Sequence, residues 1–257
     1  MIVTKNKVLL TNLIFVFFLG SFLLTGCNDS STAPSSSDTL SSTSIEPVST
    51  NTNKNNQEMF DNLPRLEGMA KVELTVNGSP IILEINGVDA PITAGNFVDL
   101  VQKGVYDSLP FHRVVKSPQP FVAQAGDPQG KDPNFPASRL GTGGYTDESG
   151  KKRLIPLEIK LAGDEEPTYS KGLGQQSGVR SPNVELKHDR GALAMARSAQ
   201  PDSASSQFYI ALADLEFLDG DYAVFGKVVE GMDVVDNIDQ GDRIESAKVI
   251  EGAENLK

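Results

Sequence analysis

The chain has 257 residues, of which 39% are hydrophobic, so it is long enough for one large domain or two small ones. Its formal net charge of −11 excludes nucleic acid as the main partner, because phosphate binding requires clustered lysine and arginine. A single cysteine excludes an intramolecular disulfide.

The first residues have the pattern of a targeting segment. Lys5 and Lys7 precede an apolar run over residues 8–24, and small residues then lead to Cys27. This order predicts a secretory signal. The run 24–27, Leu-Thr-Gly-Cys, resembles the bacterial lipobox, which implies cleavage before Cys27 and a lipid on its thiol. An uncleaved signal anchor is the alternative, because the apolar run is nearly long enough to span a bilayer.

The following segment is rich in serine, threonine and asparagine, and it has too few apolar residues to offset its ordering entropy. We therefore predict a signal peptide over residues 1–26, a lipidated cysteine with a flexible tether over 27–57, and a globular domain over 58–257. This organisation implies a bacterial cell-envelope protein, anchored to a membrane by lipid and facing outside the cytoplasm on the periplasmic or extracellular side.

Alternating apolar residues at 72–76 and 81–85 predict two strands joined by a turn at 77–80. Residues 94–103 have helical periodicity, with Thr93 as the expected N-cap and Gly104 as the expected stop. A second, short helix is predicted over 231–238. Further strands are predicted at 111–115, 121–125, 191–196, 207–212, 222–229 and 244–250. Many short strands with only two helices favour a mainly β fold.

The strands at 111–115 and 121–125 each carry one polar side chain that could face a cleft, Arg113 and Gln124. A cationic donor, an amide that holds it and neighbouring phenylalanines could bind a proline-containing peptide and twist it. The run Phe-His-Arg-Val-Val at 111–115, with Phe-Val-Ala-Gln-Ala-Gly-Asp at 121–127, resembles the signature of the cyclophilin family of peptidyl-prolyl isomerases.

Four later segments extend this resemblance in the family's order. They are the glycine run at 141–144, the strand at 186–197 with the segment at 202–210, and the segment at 216–228. The resemblance covers roughly residues 69–251. It implies a closed eight-stranded antiparallel β-barrel capped by two α-helices, and peptidyl-prolyl cis-trans isomerase activity that assists the folding of exported proteins. It implies no cofactor and no metal.

The resemblance also implies the site residues. Arg113 and Gln124 would be catalytic. The substrate-binding residues would be His112, Phe121, Val122, Ala196, Arg197, Gln207, Tyr209, Phe217, Leu218 and Tyr222. Phe217 stands where many members have tryptophan, so weak cyclosporin binding is expected, because the indole N–H donor is lost. His188 is expected to be a structural turn residue.

An insertion relative to the family pattern is predicted at about 160–184, as a polar surface loop. It is either tolerated decoration or a segment that selects partners or substrates.

Two other functions remain open beside the isomerase: a non-catalytic module that binds proline-containing peptides, and a membrane-tethered chaperone. The presence of both Arg113 and Gln124 favours the enzyme, because a pure binder has no need of the cation. Nothing in the pattern requires more than a monomer.

Overall fold

The computed structural model describes Phe60 and residues 62–257. The predicted signal peptide, Cys27 and almost all of the tether lie outside the described residues. In the part of the chain that is described, no helix combines the length and the apolar character needed to cross a bilayer.

The described residues are mainly β, as predicted. Two α-helices lie wholly within them, α1 (Pro91–Gln102) and α2 (Met232–Asn237). The strands are β1 (Met69–Val76), β2 (Ser79–Asn86), β3 (Arg113–Val114), β4 (Val122–Ala125), β5 (Glu158–Ile159), β6 (Thr168–Tyr169), β7 (Ala192–Met195), β8 (Phe208–Ala211), β9 (Val224–Glu230) and β10 (Ile244–Glu251).

Eight strands form one antiparallel sheet in the order β10-β1-β2-β9-β7-β8-β4-β3. The prediction of a closed barrel was wrong, because β3 and β10 stay at opposite edges of this sheet and form no ladder within the described region. One isolated bridge between Pro110 and Arg243 approaches that gap. Strand β3 is only two residues long, so it offers too little backbone to close the sheet. The architecture is an open, curled half-barrel.

The predicted hairpin at the start of the domain is confirmed. Val76 pairs with Ser79 across a two-residue turn. Asn77 and Gly78 have φ of 51° and 72°. Left-handed backbone at both positions is what a tight hairpin turn requires. Ser79 and Pro80, which were predicted in the turn, belong to β2 instead.

Helix α1 begins earlier than predicted. Its N-cap is Ala90, which supplies no side-chain hydrogen bond, so Thr93 is not the cap. The first N–H groups of the helix are instead paired by a distant residue. The buried Glu158 carboxylate accepts hydrogen bonds from Ile92 N (3.1 Å) and Thr93 N (2.7 Å). The expected stop at Gly104 is confirmed, since this glycine has φ of 62° directly after the C-cap.

The insertion at about 160–184 is exposed over most of its length but is not only a loop. Its first part returns as β6, which pairs with β5. Pro167, Gly174 and Val184 are buried. The insertion therefore packs on the domain at several points.

The sheet separates two apolar clusters by simple alternation along its strands. One face of β4, β7 and β8 packs into the main core with α1, where the Phe97 ring lies 5.2 Å from that of Phe208 and 5.1 Å from that of Phe225. The opposite face of the same strands carries a second apolar cluster, which includes Val122 and Ala194. The candidate site lies on this second face.

Candidate active site

Small side chains leave a hollow on the second face of the sheet. Ala194 pairs with Tyr209 across β7 and β8, and Ala211 belongs to the same apolar cluster. The result is a cavity of about 300 Å³. It is lined by Arg113, Phe121, Val122, Gln124, Ala196, Arg197, Tyr209, Leu218 and Tyr222.

A chain of hydrogen bonds holds the polar side of this cavity. Arg113 and Gln124 are directly paired across β3 and β4, so their side chains share one face. Arg113 Nη1 donates to Gln124 Oε1 at 3.3 Å, and Gln124 Nε2 donates to Gln207 Oε1 at 3.0 Å. Gln207 Nε2 then donates to the carbonyl of Gly143 at 2.7 Å. Each amide accepts on one side and donates on the other, which orients the Gln124 oxygen toward the guanidinium.

Aromatic rings form the apolar side. The Phe121 and Phe217 rings are stacked with centroids 6.1 Å apart, and the Arg113 guanidinium lies 5.3 Å from the Phe121 centroid. Phe217 is 49% exposed, so it forms an outer wall and does not line the cavity itself. Leu218 closes the slot from a short turn at Glu216–Leu218.

The floor of the slot is fixed from beneath by a histidine. Tyr209 is buried, and its hydroxyl lies 2.9 Å from His188 Nε2. On the other side of the ring, His188 Nδ1 lies 2.7 Å from Asp219 Oδ1. A neutral imidazole satisfies all three groups, because the tyrosine donates to Nε2 and Nδ1–H donates to the carboxylate. Burial raises the pKa of the Tyr209 hydroxyl well above its ordinary value, so it stays a neutral donor.

Residues 71–254 match the family described as cyclophilin type peptidyl-prolyl cis-trans isomerase/CLD. The chain belongs to the cyclophilin family. It is 43% identical over 209 residues to a putative thylakoid lumen peptidyl-prolyl cis-trans isomerase of Synechocystis, and the match covers 77% of this chain and 52% of that protein. It is 37% identical over 217 residues to a chloroplastic peptidyl-prolyl cis-trans isomerase of Arabidopsis thaliana, with 77% and 46% covered. The chain thus spans about half the length of these two relatives.

A solved structure agrees on the fold. The crystal structure of a cyclophilin type peptidyl-prolyl cis-trans isomerase of Cryptosporidium parvum matches with a TM-score of 0.50 and 24% sequence identity. The match covers 70% of this chain and 97% of that one. At this identity the likeness shows a shared cyclophilin fold.

In this cyclophilin, nine of the twelve residues expected at the site line the cavity of about 300 Å³. The other three are near it in different ways. Gln207 holds Gln124, Phe217 stacks on Phe121, and His112 packs against Gly141 beside the cavity. Cys27 lies outside the described residues. Within those residues, no group of three or more His, Cys, Asp or Glu side chains is arranged to hold a metal ion.

A second cavity of about 200 Å³ adjoins the first and shares Gln124, Ala196 and Arg197 with it. One wall is the glycine run, which the buried Asp127 holds by accepting from Gly141 N (2.7 Å) and Gly143 N (3.0 Å). Ser198, Ser203 and Ser205 also line this cavity. Sequence reasoning assigned no role to these serines, because isolated serines in turns carry no recognisable pattern.

Sequence reasoning also missed the link between His188 and the slot. It predicted His188 as a structural turn residue and did not connect it with Tyr209 or Asp219. The only local signal was a lone histidine before a strand, which is compatible with many roles. The tyrosine is 21 residues away and the aspartate 31, so the contact depends on how β7 and β8 pair.

His112 predicts that the free energy of unfolding depends on pH. Neither ring nitrogen has a hydrogen-bond partner within the described part of the chain, and burial lowers the His112 pKa below its ordinary 6.5. The unfolded chain therefore binds a proton near pH 6.5 while the folded ring stays neutral. We expect the free energy of unfolding to fall as the pH drops through 6.5 toward the lowered folded-state pKa.

The His112→Gln variant should lose this component of the pH dependence, because glutamine does not titrate. Urea unfolding followed from about pH 8 to about pH 5 measures both proteins. Parallel stability curves for the two proteins would contradict the assignment to His112.

Proposed function

We propose that this cyclophilin is a peptidyl-prolyl cis-trans isomerase that acts on proline-containing polypeptides outside the cytoplasm, where it assists the folding of exported proteins. The observation that carries the proposal is the placement of the Arg113 guanidinium. It lies at the edge of an apolar cavity and is steadied by Gln124.

Rotation about an Xaa–Pro bond has a barrier of about 18–20 kcal/mol, because the amide is conjugated. No bond is broken, so the enzyme needs only to bind the twisted amide better than the planar one. Twisting returns a lone pair to the prolyl nitrogen. A guanidinium fixed in a partly dry cavity donates to that nitrogen, and it stabilises the twisted state more than the ground state.

The other residues would hold the peptide. Phe121, Val122, Tyr209 and Leu218 surround a space that suits the pyrrolidine ring. The backbone of Ala196 and Arg197 would pair with the peptide as an added strand. Gln124 and Gln207 would keep Arg113 in register. Phe217 supplies a wall without an N–H donor, so cyclosporin binding is expected to be weak. We also propose that the protein acts as a monomer.

Isomer exchange of a short Xaa-Pro peptide tests the activity directly. Uncatalysed exchange takes on the order of 10–100 s at 25 °C, so NMR exchange spectroscopy separates it clearly from the catalysed rate. The full chain in mild detergent should bring exchange into the sub-second range. If the peptide binds, as judged by chemical-shift titration, but exchanges no faster, the protein is a binding module.

We propose further that the protein is exported and held to a membrane by lipid on Cys27. The support is the lipobox-like run at 24–27 and the names of the two relatives, which place those proteins in the thylakoid lumen and the chloroplast. Acyl chains anchor strongly, because each buried CH₂ contributes about 0.8 kcal/mol.

The Cys27→Ser variant should therefore move from the membrane fraction to the soluble fraction after cell lysis and ultracentrifugation. Wild-type protein should remain membrane-bound through a high-salt wash, because a lipid anchor does not depend on charge. If the serine variant also survives that wash in the membrane fraction, the segment is an uncleaved signal anchor.

A further inference from the structure

Arg197 is the second cation at the cavities, and its neighbours hold it without neutralising it. Its Nε donates to the carbonyl of Asp221 at 2.8 Å and its Nη1 to the carbonyl of Ser198 at 2.9 Å. Its Nη2 donates to Gln176 Oε1 at 3.0 Å. The guanidinium lies 4.8 Å from the centroid of the Tyr222 ring. These acceptors are neutral, and Nη2 uses only one of its two hydrogens in these bonds.

The carboxylates on segments near Arg197 accept hydrogen bonds from other donors. Asp219 pairs with His188, and Asp221 accepts from the backbone N–H of Gln176 at 3.2 Å. Asp202 accepts from a backbone N–H at 3.2 Å. Among the described residues, no carboxylate oxygen lies within 4 Å of a guanidinium nitrogen of Arg197 or of Arg113.

The two adjoining cavities are therefore lined by two cations and by no acidic residue. The absence of acidic lining residues is unusual for a chain with a formal net charge of −11. Two uncompensated guanidinium groups beside one peptide groove favour a ligand that brings its own negative charge.

The insertion supplies one of the contacts that hold Arg197. Leu173 N donates to the carbonyl of Gly220 at 2.8 Å, which ties the insertion to the loop at 219–221. Gly174 packs so closely there that a Cβ would lie 2.2 Å from the carbonyl oxygen of Asp219. Gln176, two residues later, provides the side-chain oxygen that accepts from the guanidinium of Arg197. The close approach of backbone to backbone thus fixes the amide that orients Arg197.

We infer that Arg197, held by Gln176 of the insertion, makes the site selective for proline peptides with a carboxylate side chain within two residues of the proline. This deepens the proposed isomerase function and rests on it. The carboxylate accepts the free Nη2 hydrogen and is attracted by both guanidinium groups. Because the groove is partly open to solvent, the preference for glutamate over the isosteric glutamine should be about five- to tenfold in kcat/KM.

The test uses peptides that differ only by Glu, Gln or Lys at each of the two positions on either side of a single proline. The full chain in mild detergent is assayed by NMR exchange at low and high salt. At one or more positions, glutamate should exceed glutamine by the stated factor, and lysine should fall below glutamine. The difference should shrink at high salt, because salt screens a partly exposed pair.

Two variants locate the effect. Arg197→Gln should bring the Glu-to-Gln ratio close to one, and Gln176→Ala should lower it partway. Arg180→Gln is the matched control, because this exposed arginine of the same insertion lines neither cavity. A ratio unchanged by Arg197→Gln, or lowered as much by Arg180→Gln, would overturn the inference, as would a wild-type ratio near one at every position.

The exchange rate of the glutamine peptides reports on the isomerase function separately from selectivity. If those peptides show no catalysis, the proposed function fails. The Glu-to-Gln ratio is then taken from dissociation constants measured by titration of the same peptides. A ratio near one in binding would overturn the selectivity too.

Discussion

The Arg113→Ala variant is expected to lose about 100- to 1,000-fold in kcat/KM for a short Xaa-Pro peptide. This is the usual effect of removing one fixed donor that acts on the transition state. The side chain is exposed and makes no ion pair in the described residues, so the fold should be unaffected. NMR exchange measures the rate, and thermal unfolding measures the stability.

Two further variants show whether the position of the charge matters. Lys116→Ala removes a cation from the same hairpin, but Lys116 pairs with Asp239 and does not line the cavity. It should retain near wild-type activity. Arg113→Lys keeps the charge but loses the planar donor set that fits Gln124, so its activity should be intermediate. Equal losses in Arg113→Ala and Lys116→Ala, or no loss in either, would contradict the proposed role of Arg113.

The Glu158→Ala variant is expected to lower the free energy of unfolding by about 3 kcal/mol. The buried carboxylate accepts from Ile92 N and Thr93 N, and its removal leaves two N–H groups without acceptors at the start of α1. An unsatisfied buried donor costs about 1–3 kcal/mol. The N-cap residue Ala90 makes no side-chain hydrogen bond that could replace it. Denaturant unfolding provides the measurement.

Glu158→Gln should have a smaller effect, because one carbonyl oxygen remains to accept one of the two bonds. Glu165→Ala is the matched control for lost charge, since Glu165 is an exposed acid of the insertion. If Glu158→Ala were no more destabilising than Glu165→Ala, the helix N-terminus would have to be satisfied in another way.

The segment that runs from β5 to β7 contains both Glu158 and Gln176. Glu158, at the start of the segment, caps the helix that packs into the half-barrel. Gln176, farther along, holds an arginine at the cavities. The segment thus contributes to stability at one point and to the groove at another. Substitutions in it should separate these effects, with Glu158→Ala changing stability and Gln176→Ala changing the preference among peptides.

Local patterns were sufficient for much of the fold. Apolar alternation identified the strands of the first hairpin, and Asn77-Gly78 identified its turn, because only left-handed backbone closes so short a connection. The same alternation placed Arg113 and Gln124 on the face opposite the core. The start of α1 and the closure of the sheet were predicted wrongly, since each depends on atoms supplied by a remote segment.

The sequence by itself determined the mainly β character, because strands follow from short-range periodicity. It also determined the family, because motifs in a fixed order carry the resemblance, and that resemblance implied the side chains that line the cavity. Only the tertiary structure decided that the half-barrel stays open, that Glu158 caps a helix 66 residues before it, and that Gln176 holds Arg197. Such contacts arise when separate loops pack against one another. Their hydrogen bonds depend on three-dimensional distance, which no spacing along the chain encodes.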